Sequence, residues 1–215
     1  MERRNIKKWK VAISLLLFLY ILVGTASAGN GLNARYYNGD NFYRADWNAT
    51  GPADTARIDP NINFNWQPLG PDPLPPGIIS DGYWSADWQG FINIPSDGQY
   101  IFATVSDDGS IVLIDNVRVV DNGGDHPPLH VAGAPVQLTK GFHPIIVKYF
   151  ESFGGAAMLQ LNWTVPDGNE EIVPSSVLFT DKPTVPVPTV TNFGLLLMVG
   201  ILSIVSIDKI RKRKY

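Results

Sequence analysis

Residues 99–116, Gln-Tyr-Ile-Phe-Ala-Thr-Val-Ser-Asp-Asp-Gly-Ser-Ile-Val-Leu-Ile-Asp-Asn, decide the fold class. The run from Gln99 to Val105 alternates in character and the run from Ile111 to Ile114 is short and apolar, and both patterns predict β-strands. Turn-forming residues end each run: Asp107-Asp108-Gly109 and Asp115-Asn116. The stretch therefore predicts two short strands, each ended by a turn.

The same pattern extends through residues 29–181, where no helical period of useful length occurs. Turn residues separate the runs, and Pro68, Pro71, Pro73, Pro75 and Pro76 predict a rigid surface loop at 67–76 that covers an edge or shapes a binding rim. The spacing predicts an all-β domain, an antiparallel β-sandwich or barrel. Further strands are predicted at 33–37, 85–94, 117–120, 143–150 and 156–165, the last two as a paired hairpin.

Composition excludes several classes of protein. Hydrophobic residues make up 45% of the 215, which is too many for a disordered chain. There is no Cys, so disulfide scaffolds, thiolate zinc sites and cysteine nucleophiles are excluded. Between residues 11 and 207 there are seven Lys and Arg but eighteen Asp and Glu. A body with an excess of eleven negative charges repels nucleic acid, so no nucleic-acid partner is expected.

Both ends of the chain have the pattern of targeting segments. A basic stretch, an apolar run and Ala26-Ser27-Ala28 predict a signal peptide at residues 1–28, with an uncleaved anchor as the alternative. A Pro-rich stalk at 182–192 precedes an apolar segment at 193–208 and a basic tail at 209–215. These predict a transmembrane helix with the tail in the cytoplasm. The domain is then secreted through the inner membrane and faces outside.

A second pattern spans the end of the stalk and the first two residues of the apolar segment. Residues 187–194, Val-Pro-Thr-Val-Thr-Asn-Phe-Gly, resemble the IPTL-type sorting signals of bacterial envelope proteins. Pro188, Thr189 and Gly194 match outright, whereas Asn192 departs from the pattern. The resemblance implies recognition by a sorting protease in the membrane. An ordinary C-terminal anchor is the alternative.

An ordered set of motifs covers the predicted domain. The motifs are Trp88-x-Gly90-Phe91, Gly98-x-Tyr100-x-Phe102, Ser106-Asp107-Asp108-Gly109-Ser110, Ile114-Asp115-Asn116, Gly141-x-His143-x-Ile145, Tyr149-Phe150-Glu151 and Leu161-x-Trp163. Together they resemble the PA-fourteen domain of the anthrax-toxin protective antigen and yeast adhesins. The resemblance implies a β-sandwich with jelly-roll-like character that binds glycans.

The adjacent carboxylates of Asp107 and Asp108 repel each other unless a cation binds them, and oxygen ligands on a loop suit Ca²⁺. From the residues alone, an Asp-Gly hairpin turn with solvated acids is the favoured interpretation. The resemblance implies that the pair, joined by a cis peptide bond, holds Ca²⁺ and through it a sugar. We expect one of the two pKa values to be raised without metal, and Asp108→Asn to leave the fold intact.

Calcium needs six to eight oxygens, so a second loop must contribute. The resemblance points to the turn after Tyr149, with Glu151 as a third ligand and Ser152 and Phe153 contacting the glycan. The alternative is that Glu151 is a solvated turn residue. The polar loop 121–126 is a further but weaker candidate for binding calcium or a glycan, and the alternative is that it is only a connecting loop.

The aromatic and histidine residues give weaker evidence about the binding site. Trp88 and Trp163 are expected to pack in the core, while the aromatics beside turns either pack or stack on sugars. His126, His130 and His143 lack metal-ligand spacing, and His143 is expected to be a half-buried residue with satisfied hydrogen bonds. The turn aromatics are Tyr37, Phe42, Tyr43, Tyr83, Trp84 and Phe153.

The sequence therefore predicts a calcium-dependent carbohydrate-binding or adhesion module of the cell envelope, which binds a cell-surface glycan and is held at the membrane by its C-terminal helix. The alternative is a structural or protein-interaction domain without a sugar site. Glycoside hydrolysis needs two facing carboxylates, and the resemblance implies an accessory role beside a separate catalytic domain, so no enzyme activity is expected.

Overall fold

Two antiparallel sheets make up the domain. The computed structural model describes residues 30–39, 47, 52–66, 68–79, 83–152 and 156–183, all within one compact unit, Ala28–Pro183. The signal peptide, most of the stalk, the apolar segment at 193–208 and the basic tail lie outside the described residues. Among those described, no helix has the length and hydrophobicity needed to span a membrane.

The first sheet has the order β2-β1-β4-β10-β6-β7, with β13 also paired to β4. Its centre is the pairing of β4 with β10 over eleven residue pairs. The strands are β1 Leu32–Asn38, β2 Thr55–Asp59, β4 Trp84–Ile94, β6 Ser110–Ile114, β7 Val117–Asn122, β10 Gly141–Glu151 and β13 Leu178–Phe179.

The second sheet has the order β12-β11-β5-β8, with β3 paired to β11 and β9 paired to β5. A 3-10 turn at Ser175–Val177 follows β12. The strands are β3 Asn63–Trp66, β5 Gly98–Asp107, β8 Leu129–Ala132, β9 Val136–Leu138, β11 Ala157–Thr164 and β12 Glu170–Ile172. Every pairing in both sheets is antiparallel, which confirms the predicted all-β antiparallel fold.

The core lies between the sheets and is strongly aromatic. Trp88 of the first sheet stacks on Phe64 of the second, with ring centroids 6.1 Å apart. Trp84 meets Trp66 edge-to-face at 4.9 Å. Trp88 and Trp163 are buried, as predicted. Alternation explains this arrangement, because successive side chains of a strand point to opposite faces and one face of each sheet must be apolar.

The predicted hairpin of residues 143–150 with 156–165 is wrong. β10 pairs with β4 and β6 in the first sheet, whereas β11 pairs with β3, β5 and β12 in the second. Both strands alternate because each buries one face in the shared core, and alternation does not reveal which strand is the partner. The consecutive strands β10 and β11 therefore belong to opposite sheets.

The turn at Asp115-Asn116 is a hairpin, as predicted. It joins β6 to β7, and both residues have positive φ, 51° and 64°. This is the twist that two-residue hairpins require, and Asp and Asn tolerate it. Residues 68–79 contain no strand, which agrees with the predicted proline-rich loop.

A buried carboxylate ties the edge strand β2 to the core. Asp59 accepts hydrogen bonds from Arg57 Nε at 2.6 Å, from Trp88 Nε1 at 2.8 Å and from the Tyr36 hydroxyl. The Arg57 guanidinium also lies over the Tyr36 ring, 5.1 Å from its centroid. The acid is therefore buried with its charge compensated, as a buried charge must be.

His143 is satisfied at both ring nitrogens, as predicted. Nδ1 lies 2.7 Å from Asp115 Oδ2 and Nε2 lies 2.8 Å from the Thr139 carbonyl. Desolvation lowers the pKa of His143, but the hydrogen bonds to Asp115 and Thr139 outweigh it, so the pKa is raised overall.

We expect His143→Gln to destabilise the domain by about 1 kcal/mol, mainly at acidic pH. Because the folded pKa lies above the unfolded value of 6.5, the protonated ring stabilises the fold fully below that value. The stabilisation is lost as the pH rises through the folded pKa. Urea unfolding of both proteins between pH 5 and pH 9 measures this, and a difference that grows with rising pH would contradict it.

Candidate metal centre

The ends of two strands bring three carboxylates together. β5 of the second sheet ends at Asp107, and β10 of the first sheet ends at Glu151. β6 begins at Ser110 in the first sheet, so Asp108 and Gly109 cross between the sheets. One carboxylate oxygen each from Asp107, Asp108 and Glu151 lies within 4.8 Å of the others. These are the three residues that the sequence predicts as metal ligands.

Asp108 is not the solvated acid of an Asp-Gly hairpin. Its side chain is buried, and β5 and β6 do not pair with each other. Oδ1 accepts a hydrogen bond from the backbone N–H of His126 at 2.7 Å. Oδ2 accepts from Ser152, from the N–H at 2.9 Å and from Oγ at 2.7 Å. The hairpin alternative is therefore wrong, and the peptide bond between Asp107 and Asp108 is cis.

These contacts also correct the expectation for Asp108→Asn. An amide nitrogen at this position faces N–H donors, and a buried donor without an acceptor costs about 1–3 kcal/mol. The substitution is expected to disturb the fold, so it is a poor test of metal binding. Asp107 is the better position.

Asp107 differs from Asp108 in its surroundings. Its side chain is partly buried. Burial raises the pKa of Asp107, and the charge of Asp108 raises it further, while His126 opposes the shift. The prediction that one carboxylate of the pair has a raised pKa is confirmed.

Tyr149 links the strand ends beneath the carboxylates. Its hydroxyl contacts the Asp107 carbonyl and lies 3.0 Å from Glu151 Oε2. Burial raises the pKa of Tyr149 well above 10, and the charge of Glu151 adds to the effect. Tyr149 therefore stays protonated and donates. Glu151 is buried, so the alternative of a solvated turn residue is wrong.

Ser152 holds the Asp108 carboxylate in place through two hydrogen bonds and is itself buried. Its predicted contact with a glycan stays a prediction. Phe153, the other predicted glycan contact, lies outside the described residues. The loop 121–126 was a weaker candidate for the site, and its residue His126 takes part through its backbone N–H, a contact that the side-chain pattern cannot reveal.

A buried polar cluster lies behind the Asp pair and was missed by the sequence analysis. Ser110 Oγ lies 2.8 Å from Ser106 Oγ and donates to Thr104 Oγ1 at 2.9 Å. Asn122 Nδ2 donates to Ser106 Oγ at 3.0 Å and to the Leu129 carbonyl at 3.1 Å. In the sequence, the two serines that flank the Asp pair were the signal from which this cluster could have been predicted. The cluster positions the loop that contains His126.

The aromatics beside turns divide into two groups. Tyr37 and Trp84 are core residues, each 1% exposed, whereas Tyr83 is 38% exposed. Tyr83 precedes Trp84, which is in register with Glu151, so Tyr83 lies at the same end of the sandwich as the carboxylates. Phe42 and Tyr43 lie outside the described residues.

A shallow cavity of about 300 Å³ lies elsewhere, on the outer face of the first sheet. None of its lining residues is acidic, and it is separate from the carboxylate cluster. It is lined by Asn33, Gln89, Gly90, Phe91, Pro144, Ile145, Ile146 and Thr180.

The model of the PA14 domain family matches residues 29–176. The chain belongs to the PA14 domain family. Over 152 residues it is 34% identical to the anti-sigma-I factor RsgI3 of Acetivibrio thermocellus, covering 71% of this chain and 22% of that protein. The match is thus confined to a small part of the relative.

Solved structures share the fold. An anti-sigma factor domain-containing protein from Clostridium clariflavum is 25% identical, with a TM-score of 0.59 over 74% of this chain and 50% of that one. A PA14 sugar-binding domain from an RTX adhesin is 20% identical, with a TM-score of 0.54 over 71% of this chain and 99% of that one. The chain spans about half the length of the first structure and nearly all of the second.

Close packing in this PA14 domain leaves no room for a side chain at Gly109. A Cβ at this position would lie 2.4 Å from Cε1 of Phe150, whose ring is buried. We expect Gly109→Ala to lower the free energy of unfolding by about 1–3 kcal/mol through overpacking. Gly123→Ala is the matched control, since its Cβ would lie 3.2 Å from an Asp121 carboxylate oxygen on the surface. Thermal unfolding of both variants measures this, and equal effects would contradict the assignment.

Proposed function

We propose that this PA14 domain is a non-catalytic, calcium-dependent carbohydrate-binding module of the cell envelope. One observation carries the proposal: the carboxylates of Asp107, Asp108 and Glu151 converge within 4.8 Å from the ends of strands in two sheets. Within the described ranges, no Lys or Arg forms an ion pair with Asp107 or Asp108. A cation supplies the charge that the cluster needs.

The dimensions of the cluster fit Ca²⁺. Calcium binds oxygens at 2.3–2.6 Å, so two oxygens on one ion lie at most about 5 Å apart. The separation of 4.8 Å falls within this limit. His126 and Ser152 hold the Asp108 carboxylate from behind through both of its oxygens. The ion, when bound, supplies coordination for sugar hydroxyls.

Sugar recognition has two supports. The fold is that of a sugar-binding domain from an RTX adhesin, and the half-exposed Tyr83 lies at the carboxylate end of the sandwich. An exposed aromatic ring offers a flat apolar surface to the C–H face of a sugar. Ser152 and Phe153 complete the proposed glycan contacts.

The second candidate is a structural or protein-interaction domain without a sugar site. It is favoured by the identity of 34% to a protein named as an anti-sigma-I factor rather than as a lectin. The two candidates differ in glycan binding, because only the first predicts a sugar ligand that depends on calcium.

We expect calcium to raise the melting temperature of the purified full chain and Asp107→Asn to remove that shift. A ligand that binds only the folded state adds about 2.7 kcal/mol at 100 times its dissociation constant. Asp107→Asn removes one negative charge of the cluster and leaves a neutral amide oxygen, which is a weaker calcium ligand, without disturbing the hydrogen bonds of Asp108. Scanning calorimetry with calcium and with a chelator measures both effects.

The control is Asp121→Asn, which removes an exposed carboxylate paired with Arg118 outside the cluster. It is expected to retain the calcium shift. The pH gives an independent check: because the pKa of Asp107 is raised above 3.8, the ionisation of Asp107 itself lowers the stability of the metal-free fold as the pH rises from 3.8 through the raised pKa. Asp107→Asn abolishes this loss. A flat calcium titration of the wild-type chain would contradict the metal site.

We also propose that the acidic domain faces outside and the basic tail inside, with a sorting protease acting at the stalk. Protease added to spheroplasts is expected to remove the domain and spare the tail. Mass spectrometry of the mature protein is expected to find a C-terminus near the stalk. Protection of the domain contradicts the orientation, and Tyr215 in the mature protein contradicts the cleavage.

A further inference from the structure

The outer face of the second sheet continues directly from Asp107. Leu159, Leu161 and Trp163 of β11 point into the core, so the alternate residues of that strand lie on the outer face. Pairing with β5 and β3 then forms two adjacent rows across the strands. The rows are Asp107–Met158–Asn65 and Val105–Gln160–Asn63.

Four of these residues form what we call the amide face: Asn63, Asn65, Met158 and Gln160. Asn63 and Asn65 are exposed, and Met158 and Gln160 are partly buried. Gln160 Nε2 donates to Asn63 Oδ1 at 3.0 Å. Each amide has two N–H donors and a carbonyl acceptor, so the pair keeps further donors and acceptors after this bond.

The amide face is held rigidly at the end next to the carboxylates. The backbone N–H of Asn65 donates to Asp72 Oδ2 at 2.7 Å, and the backbone N–H of Asp72 donates to the Asn65 carbonyl at 2.9 Å. These bonds tie the end of β3 to the proline-rich loop. A rigid surface loses less entropy when it binds a ligand.

The polar groups of the amide face indicate which class of ligand it can bind. Its polar groups are neutral amides, which both donate and accept, and hydroxyl groups do the same. The excess of acidic residues in the domain disfavours an anionic chain. The two rows are about 7 Å apart along the strand, since a strand rises about 3.4 Å per residue. This is the length scale of a short oligosaccharide that starts at Asp107.

We propose that the amide face is an extension subsite for a neutral oligosaccharide whose terminal sugar is held at the carboxylate cluster. The chain of sugars leaves the cluster across Met158 and reaches the amides of Asn63 and Gln160. This inference rests on the proposed function, and it specifies a ligand of several sugars rather than one.

The test compares long and short sugars on the purified full chain. Mannohexaose, cellohexaose, xylohexaose and maltohexaose, with the matching monosaccharides, are titrated by calorimetry in calcium and in chelator. At least one hexasaccharide is expected to bind about 10-fold more tightly than its monosaccharide. Asn63→Ala and Gln160→Ala are each expected to weaken hexasaccharide binding about 5- to 10-fold, as lost hydrogen bonds do.

The controls separate the two proposals. Monosaccharide affinity and the calcium-induced melting shift are expected to be unchanged in both variants. Gln99→Ala, an exposed amide at the opposite end of β5, is expected to change nothing. Two results would overturn the amide face without affecting the proposed function. One is that hexasaccharides bind no more tightly than monosaccharides, and the other is that both variants bind hexasaccharide as tightly as the wild type.

Two further outcomes concern the proposed function. Hexasaccharide binding that persists in chelator and is lost in Gln160→Ala supports the amide face and overturns the calcium dependence. Failure of every sugar in the panel to bind the wild-type chain overturns both the sugar-binding function and the amide face. If calcium still raises the melting temperature in that case, the metal site is supported and only the sugar-binding proposals are overturned.

Discussion

The hydroxyl of Tyr149 connects the two sheets at the end where the carboxylates meet. It contacts the Asp107 carbonyl of the second sheet and the Glu151 carboxylate of the first. Its ring is fixed by Trp66 and Trp84, at centroid distances of 5.4 and 5.1 Å. The separation of the strand ends, and with it the spacing of the carboxylates, therefore depends on the aromatic core. A change in core packing around Trp66 or Trp84 therefore reaches the site through Tyr149.

The site places negative charge where burial disfavours it. Backbone N–H groups and the Ser152 hydroxyl stabilise the Asp108 carboxylate, whereas burial and the charge of Asp108 raise the pKa of Asp107. Burying these neighbouring carboxylates lowers the stability of the domain. The rest of the fold offsets this loss, and its longest continuous strand pairing is that of β4 with β10. Such an arrangement is typical of a binding site, because a bound cation would relieve the repulsion between the carboxylates.

The sequence predicted the long strands and the identity of the carboxylates, but not their environment. β4, β5, β10 and β11 are long enough for their alternation to be recognised, whereas β2, β3, β8, β9, β12 and β13 have two to five residues and were missed. The assumed hairpin of β10 with β11 failed because alternation reports a buried face and not a partner. The burial of Asp108 depends on His126 and Ser152, which are 18 and 44 residues away. Such contacts follow from topology and not from local pattern.

A crystal structure of the chain grown with calcium tests the central claim most directly. The account predicts an ion bound at about 2.3–2.6 Å by oxygens of Asp107 and Asp108, with Glu151 in the same cluster. Its anomalous signal identifies calcium, and the Tyr149 hydroxyl is expected to keep its contact with Asp107. Well-ordered density for all three carboxylates with only solvent between them, at a calcium concentration of several millimolar, would contradict the account.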